Sequence, residues 1–246
     1  VTVVTRLAID RLRALKAERE AYVGWWLPEP LVALQGDDHA AGGGMHHNTP
    51  ESAAELAGEL SVAFLWVLER LSPEERAAFL LRQVFDHDYG EIATLLGKNE
   101  AACRQMVHRA SERVQQERPR FDVSKDDHRR LLEKFMQAAR SGEHEAIKAL
   151  LADDVQLIGD GGGKVPSFLE VLRGADRIAT LYRDVSSQFA DQIVYRIAQI
   201  NGEPGLLRYI GGRLESAQTF VTDGERIVAI YAVRNPDKLA GIPPLQ

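Results

Sequence analysis

The sequence predicts two domains of different class. The first is all-α and built on a helix-turn-helix. The second is α+β, a curved antiparallel sheet wrapped on helices around a cone-shaped cavity. Three observations carry this. Apolar residues recur at helical spacing up to Val114, with a break at Gly97. Beyond residue 192 short β-branched and aromatic runs take over and end at the hairpin dipeptide Asp223-Gly224. A length of 246 residues with 45% hydrophobic content suits two packed cores.

The stretch Tyr89–Val114 organises the first domain. Ile92, Ala93, Leu95 and Leu96 fall on one helical face, and Gly97 supplies the left-handed position that ends a helix. Asn99 is placed to cap the next helix. That helix buries Ala102, Met106 and Ala110, with Val107 beside them, and turns Arg104, Gln105, His108, Arg109 and Arg113 outward. From Lys98 to Arg120 six basic residues stand against three acidic ones, in a chain of net charge -6. A local positive excess suits phosphate contact, and Arg, Gln and Asn suit base edges. Lys98, Asn99, Arg104, Gln105, His108, Arg109 and Arg113 are therefore the candidate DNA-binding set. The competing reading is a solvated helix face. The acidity of the whole chain argues against non-specific coating of nucleic acid.

The chain opens inside a helix. Val4, Leu7, Ala8, Leu12 and Leu15 mark one face of residues 1–22, with no start signal before them, so a fragment or a non-ATG start is expected. Residues 23–50 read as a linker. Trp25, Trp26 and Leu27 are too apolar to hang free and are expected to dock. The glycine-rich run that follows is expected to be mobile; His39, His46 and His47 within it lack the partners of a metal site. Thr49-Pro50 starts a helix that continues over Ala53–Leu71. Ser72-Pro73 with Glu75 starts the helix Pro73–Val84. Leu80, Leu81, Val84 and Phe85 read as core. Arg118-Pro119 closes the domain of residues 51–120.

The domain of residues 121–246 begins at Ser124, an N-cap for Asp126–Ser141, whose Leu131, Leu132, Phe135, Met136 and Ala139 share a face and which Gly142 ends. A short helix Glu145–Leu151 and a strand Val155–Ile158 follow. Asp160–Lys164 is a glycine turn, and Val165 begins another extended piece. Ala175–Phe189 is helical. Gln192–Ile200, Gly205–Ile210, Ser216–Thr222 and Arg226–Val233 read as a meander, and Pro243 and Pro244 as a frayed end. The only cysteine is Cys103, so no internal disulfide exists and a cytoplasmic home is expected. Cys103 itself reads as a small buried residue rather than a redox sensor. No apolar run is long enough to cross a membrane.

Residues 71–110 resemble region 4 of bacterial extracytoplasmic-function sigma factors, and residues 1–20 resemble the end of their region 2. Residues 125–234 resemble the SnoaL-like fold of small polyketide cyclases and ketosteroid isomerases. One subgroup of these sigma factors carries such a tail, marked by three motifs. Here they stand as Trp26-Leu27-Pro28-Glu29-Pro30, Asp160-Gly161-Gly162-Gly163-Lys164 and Asn235-Pro236-Asp237-Lys238-Leu239. The resemblance implies binding to core RNA polymerase and to the promoter −35 element, with the tail regulating the factor from within the chain. Most of region 2 lacks a counterpart, and a chain without it is not expected to initiate transcription alone.

The three motifs are the candidate interdomain residues. Asp160 and Lys164 are expected to make exposed charge pairs that orient domains. Asn235–Leu239 reads as a tail laid on a surface, anchored by Leu239. The tail domain is expected to dock on region 4 or on the linker, and an unidentified small ligand in the cone could shift that docking. No cofactor or metal is expected. The rival reading is an enzyme or ligand-binding domain of SnoaL type, for which Asp153, Asp154, Asp160, Asp184, Tyr182 and Tyr209 are the available acid-base groups. They show no decisive spacing, so no catalytic residue is assigned. A third reading is an inhibitory module that occupies polymerase unproductively.

Overall fold

The computed structural model describes residues 2–33, 61–117, 121 and 123–242. The linker histidines, the start signal at Thr49, the break at Arg118-Pro119 and the terminal prolines lie outside them. The chain divides into two compact units, Val1–Tyr22 with Ala63–Arg120, and Val23–Val62 with Phe121–Gln246.

The first unit is all-α: α1 (Thr2–Glu20), α2 (Val62–Glu69), α3 (Pro73–Gln83), α4 (Tyr89–Leu96) and α5 (Glu100–Glu117). Local capping chemistry sets most boundaries. Ser72 Oγ accepts the Glu75 N–H while the Glu75 carboxylate accepts the Ser72 N–H, a reciprocal cap on α3. Asp88 and Glu91 do the same for α4, a start signal hidden in what read as a plain connection. Gly97 takes φ +64° and closes α4 as expected. The helix-turn-helix core joins Ala78 and Leu81 to Ile92, Leu95, Cys103, Met106 and Val107.

Three expectations for this unit need correction. The helix expected over Ala53–Leu71 is helical over Val62–Glu69; Ser61 is not helical, and 53–60 lie outside the described residues. Val84 and Phe85 are not core: they are 40% and 66% exposed. Helix α3 stops at Gln83, and the next residues fold back in a tight turn, with the Phe85 and His87 N–H groups donating to the Leu80 and Leu81 carbonyls. Leu81 alone of that quartet is fully buried, with Leu80 half-buried. On α1 the buried side is Ile9, flanked by half-buried Leu12 and Leu15, while Val4 and Leu7 face solvent. Arg13 (2.6 Å from Glu74) and Arg19, paired with Glu69, tie α1 to α3 and α2.

The second unit comprises β1 (Val32–Ala33), α6 (Lys125–Ser141), α7 (His144–Ala149), β2 (Leu151–Asp160), β3 (Leu172–Arg173), α8 (Ala175–Phe189), a 3-10 turn (Ala190–Gln192), β4 (Ile193–Ile200), β5 (Glu203–Ile210), β6 (Arg213–Thr222), β7 (Ile227–Val233) and α9 (Pro236–Leu239). Ser124 and Gly142 cap α6 as read from the sequence. The seven-stranded sheet runs β1-β4-β5-β6-β7-β2-β3. The β4–β7 meander is antiparallel, but β2 lies parallel to β7, so the sheet is mixed rather than purely antiparallel. Most of the domain separates β2 from β7 in sequence, and the crossover brings them together pointing the same way. The extended piece expected at Val165 is not a strand; the short strand lies at Leu172–Arg173. Val32 and Ala33, within the stretch read as linker, pair with Ile200 and Gln199 at the sheet edge.

Helices α6 and α8 pack on the sheet. Phe135 stands edge-on to Tyr182 (centroids 4.9 Å) and Phe220 (5.3 Å), and Leu132, Ile178, Leu206 and Ile230 complete that core. His128 on α6 is buried, and burial lowers its pKa to about 4. Glu203 lies 3.8 Å away, but a neutral imidazole makes this a polar contact rather than an ion pair at pH 7. The unfolded chain protonates this histidine near pH 6.5 and the folded one only near 4. Stability is therefore full above pH 6.5 and falls as pH drops toward 4, by about 3 kcal/mol. His128→Gln is expected to remove that part of the acid sensitivity in urea titrations at pH 7 and 4.5.

Candidate functional site

Two sites stand out, one in each unit. In the first, α5 buries Cys103, Met106, Val107, Ala110 and Val114, spaced three, four and seven residues apart, while Ala102 is only half-buried. The opposite face carries exposed Arg104, Gln105, His108, Arg109 and Arg113, with exposed Lys98 before the helix. Asn99 Oδ1 accepts the Ala102 N–H at 2.8 Å, so this side chain is spent on the cap. Arg104 is held 2.5 Å from Glu100, with its guanidinium 5.2 Å from the centre of the Tyr89 ring. Farther along, Arg109 stands 3.7 Å from Glu75, and Arg113 donates to the Arg70 carbonyl at 3.4 Å. Burial raises the pKa of the Cys103 thiol, which keeps it protonated and unreactive.

In the second unit the three pentapeptides meet. Asp160 ends β2 and is wholly buried. Its Oδ2 accepts from the Leu27 N–H at 2.9 Å and from Lys238 Nζ at 2.8 Å; its Oδ1 accepts from the Gly162 N–H at 3.1 Å. Its carbonyl accepts the Arg234 and Asn235 N–H groups. Lys238 also donates to the Leu27 carbonyl at 2.6 Å and lies 3.6 Å from the centre of the Trp26 ring. An ammonium has three N–H groups, and carboxylate, carbonyl and ring face can engage all three. This satisfaction is what a buried charge pair requires.

The neighbouring residues shape this clasp. Leu27 and Pro30 are buried, Trp26 and Pro28 half-buried, and Glu29 exposed. A Cβ on Gly161 would stand 2.4 Å from the Val165 carbonyl, and one on Gly163 (φ +68°) 2.9 Å from Val23 Cβ. Lys164 pairs with Asp237 on the surface. Asn235 Oδ1 accepts the Asp237 N–H and caps α9, with Pro236 in its first turn.

Two expectations change here. Asp160 is buried and paired within its own unit, not offered as an exposed charge. The tail Asn235–Leu239 is wound into a helical turn, because the Asn-Pro start caps a helix, and Lys238 is buried beside the anchor Leu239.

The sequence reading missed Asn201. It occupies the left-handed region (φ +51°) in the β4–β5 turn; its N–H donates to the Leu31 carbonyl at 2.8 Å and its Oδ1 accepts the Leu31 N–H at 3.1 Å. The dipeptide Asn201-Gly202 signals a type I′ hairpin, which locates the turn but not its grip on Leu31.

In the interior of the second unit, Tyr182 donates to Gln218 Oε1 at 2.7 Å, and Gln218 to Ser216 at 2.8 Å. A register shift between Arg208 and Tyr209 leaves Glu215 as an extra residue on β6. Glu215 meets Arg208 at 2.6 Å and Arg234 at 2.5 Å. Burial would raise its pKa, but the two guanidinium groups outweigh that and hold the carboxyl below its usual range. Burial raises the phenol pKa values of Tyr182 and Tyr195, and nearby Arg208 opposes it. Of the acid-base groups weighed from sequence, Asp153, Asp154 and Asp184 are exposed, Asp160 is in the clasp, and Tyr209 is wholly buried. The carboxylate that joins the interior network is Glu215, which that reading passed over.

Residues 61–114 match the family model for sigma-70 region 4. The sequence is 32% identical to the ECF RNA polymerase sigma factor SigJ of Mycobacterium tuberculosis, over 98% of this chain and 78% of SigJ. The chain belongs to the extracytoplasmic-function sigma factors. A second member of that family, the probable sigma factor SigI of the same organism, is 26% identical over 97% of this chain and 77% of its own. The crystal structure of SigJ superposes with a TM-score of 0.73 at 30% identity, covering 98% of this chain and 81% of that one. As a member of this family the chain is a transcription initiation factor, with a region 4 domain in its first unit and a SnoaL-like second unit.

Proposed function

We propose that the second unit regulates this sigma factor in cis by holding residues 26–33 in the clasp, and that releasing them changes promoter use. The Asp160–Lys238 pair closed on the Leu27 backbone supports this above all. The held residues lead into the segment between the two sigma regions, so holding or freeing them alters how far region 4 can be placed from region 2. Core polymerase and a −35 element are the partners, in the cytoplasm, and the recognition residues are Arg104, Gln105 and His108 for base edges, with Lys98, Arg109 and Arg113 for phosphates.

The cone serves regulation rather than catalysis in this reading. Arg234 bridges the two parts: its side chain binds Glu215 and its backbone N–H binds the Asp160 carbonyl. A small ligand that displaced Glu215 would reach the clasp through this residue, provided it bound the open and closed states with different affinity. The direct test is transcription by core polymerase with the full chain and its Trp26→Leu variant, which loses the ring above Lys238. A changed ratio of transcripts between promoters of different spacing is expected. An unaltered ratio, with Leu27 amide exchange accelerated, would refute regulation by the clasp.

A further inference from the structure

Tyr89 opens α4, and its place is fixed twice over. The reciprocal cap of Asp88 and Glu91 sets the turn that carries it. Its half-buried side chain packs against the core that joins α3, α4 and α5. Two guanidinium groups lie against its ring. The central carbon of Arg82, on α3, stands 5.4 Å from the ring centre and that of Arg104, on α5, 5.2 Å. Both lie within the reach of a cation–π contact, about 6 Å. Each cation is also held at a second point. Arg82 Nη1 donates to the His87 carbonyl at 3.0 Å, and Arg104 Nη2 to Glu100 Oε2 at 2.5 Å. Glu100 itself lies beside the first turn of α4, where a Cβ on Gly90 would stand 3.5 Å from its Oε1. The start of α4 and the start of α5 thus hold the head of Arg104 together, one with a ring and the other with a carboxylate.

A guanidinium carries five N–H donors, and Glu100 engages one nitrogen of Arg104. The other donors suffice for a guanine, whose O6 and N7 take an arginine bidentately in the major groove. Ordering a flexible side chain at an interface costs about two- to twelvefold in affinity. An arginine whose flat head already rests on a ring has less freedom left to lose. We propose that Tyr89 is a positioning residue for base recognition: it holds the Arg104 guanidinium in place before DNA arrives and so sharpens the preference for the base pair that Arg104 reads. This rests on the reading of Arg104 as a base contact and adds to it a residue outside α5. Where a base pair offers Arg104 no partner, the side chain needs no ordering. The cost of losing Tyr89 therefore falls on the matched duplex alone.

The test uses the full chain and a duplex that it selects from a random-sequence pool, with affinity measured for that duplex and for each of its single base-pair substitutions. Arg104→Ala marks the base pair that Arg104 reads: the penalty for substituting that pair, about 5- to 150-fold for a bidentate contact, should vanish. Tyr89→Leu keeps an apolar side chain against the core and removes the ring. It is expected to lower the same penalty by about two- to twelvefold and to leave the penalties at other base pairs unchanged. Tyr89→Phe keeps the ring and should keep the wild-type penalty. Each penalty is a ratio within one variant, so a fraction of unfolded protein cancels from it. A Tyr89→Leu chain with the wild-type penalty at that pair, or with every penalty lowered alike, would overturn the proposal. So would a Tyr89→Phe chain that behaves as Tyr89→Leu, since the hydroxyl would then be the working group. If Arg104→Ala alters no penalty, base reading by Arg104 fails and the positioning role falls with it; if Arg104→Ala alone relaxes its base pair, only the positioning role falls.

Discussion

Lys238→Ala is expected to destabilise the second unit by about 3–5 kcal/mol, the cost of leaving a buried charge without its partner. Asp160 is wholly buried and Lys238 nearly so, so water does not replace the lost ammonium. The Leu27 carbonyl loses its donor as well, and the Trp26 ring its cation. Urea unfolding followed by near-ultraviolet circular dichroism measures this, and hydrogen exchange should show the Leu27 amide opening first. Replacing both partners together, Asp160→Leu with Lys238→Met, should cost less than Lys238→Ala alone, because no charge is stranded. A single variant as stable as wild type would mean that the pair is solvated in solution.

The second large effect is expected at Glu215. Glu215→Ala strands Arg208, which is buried, and leaves Arg234 with the Pro166 carbonyl in place of a carboxylate. A loss of about 3–5 kcal/mol follows by the same reasoning. This pair also has a pH signature. The arginines hold the Glu215 carboxyl below its ordinary value of 4.5, so its stabilisation is present above that pH and is lost as pH falls below it. The variant should therefore show a smaller loss of stability below pH 4.5 than wild type, in denaturant titrations at stepped pH. Since Arg234 also donates its N–H to Asp160, Glu215→Ala is expected to accelerate Leu27 amide exchange more than a core change of similar cost such as Ile178→Ala. Equal acceleration would separate the cone from the clasp.

Features set by neighbouring residues were legible in the sequence. The Ser72 and Ser124 caps, the Gly97 and Gly142 stops and the outward face of α5 depend on residues within about one or two helical turns. The family resemblance drew attention to three pentapeptides, but not to what they build. Asp160 and Lys238 lie 78 positions apart, and their pairing depends on how β2 and α9 meet. The β2–β7 parallel pair and the bulge that exposes Glu215 to Arg208 are equally non-local. Val84 and Phe85 continue the apolar run of α3, yet the chain turns away one residue too early for them to be buried. Asn201 lay in plain view as part of an Asn-Gly turn, but its second role depends on Leu31, 170 residues earlier.

Locking the held segment in place tests the account most directly. Val32 and Ile200 face each other across β1 and β4, and the close Cα approach of antiparallel partners suits a disulfide. In a chain carrying Val32→Cys and Ile200→Cys, promoter choice by core polymerase is measured reduced and oxidised, with and without Lys238→Ala. Regulation through release of residues 26–33 predicts that Lys238→Ala shifts promoter choice in the reduced chain and has no effect once the disulfide has formed. An equal shift in the oxidised chain would contradict it.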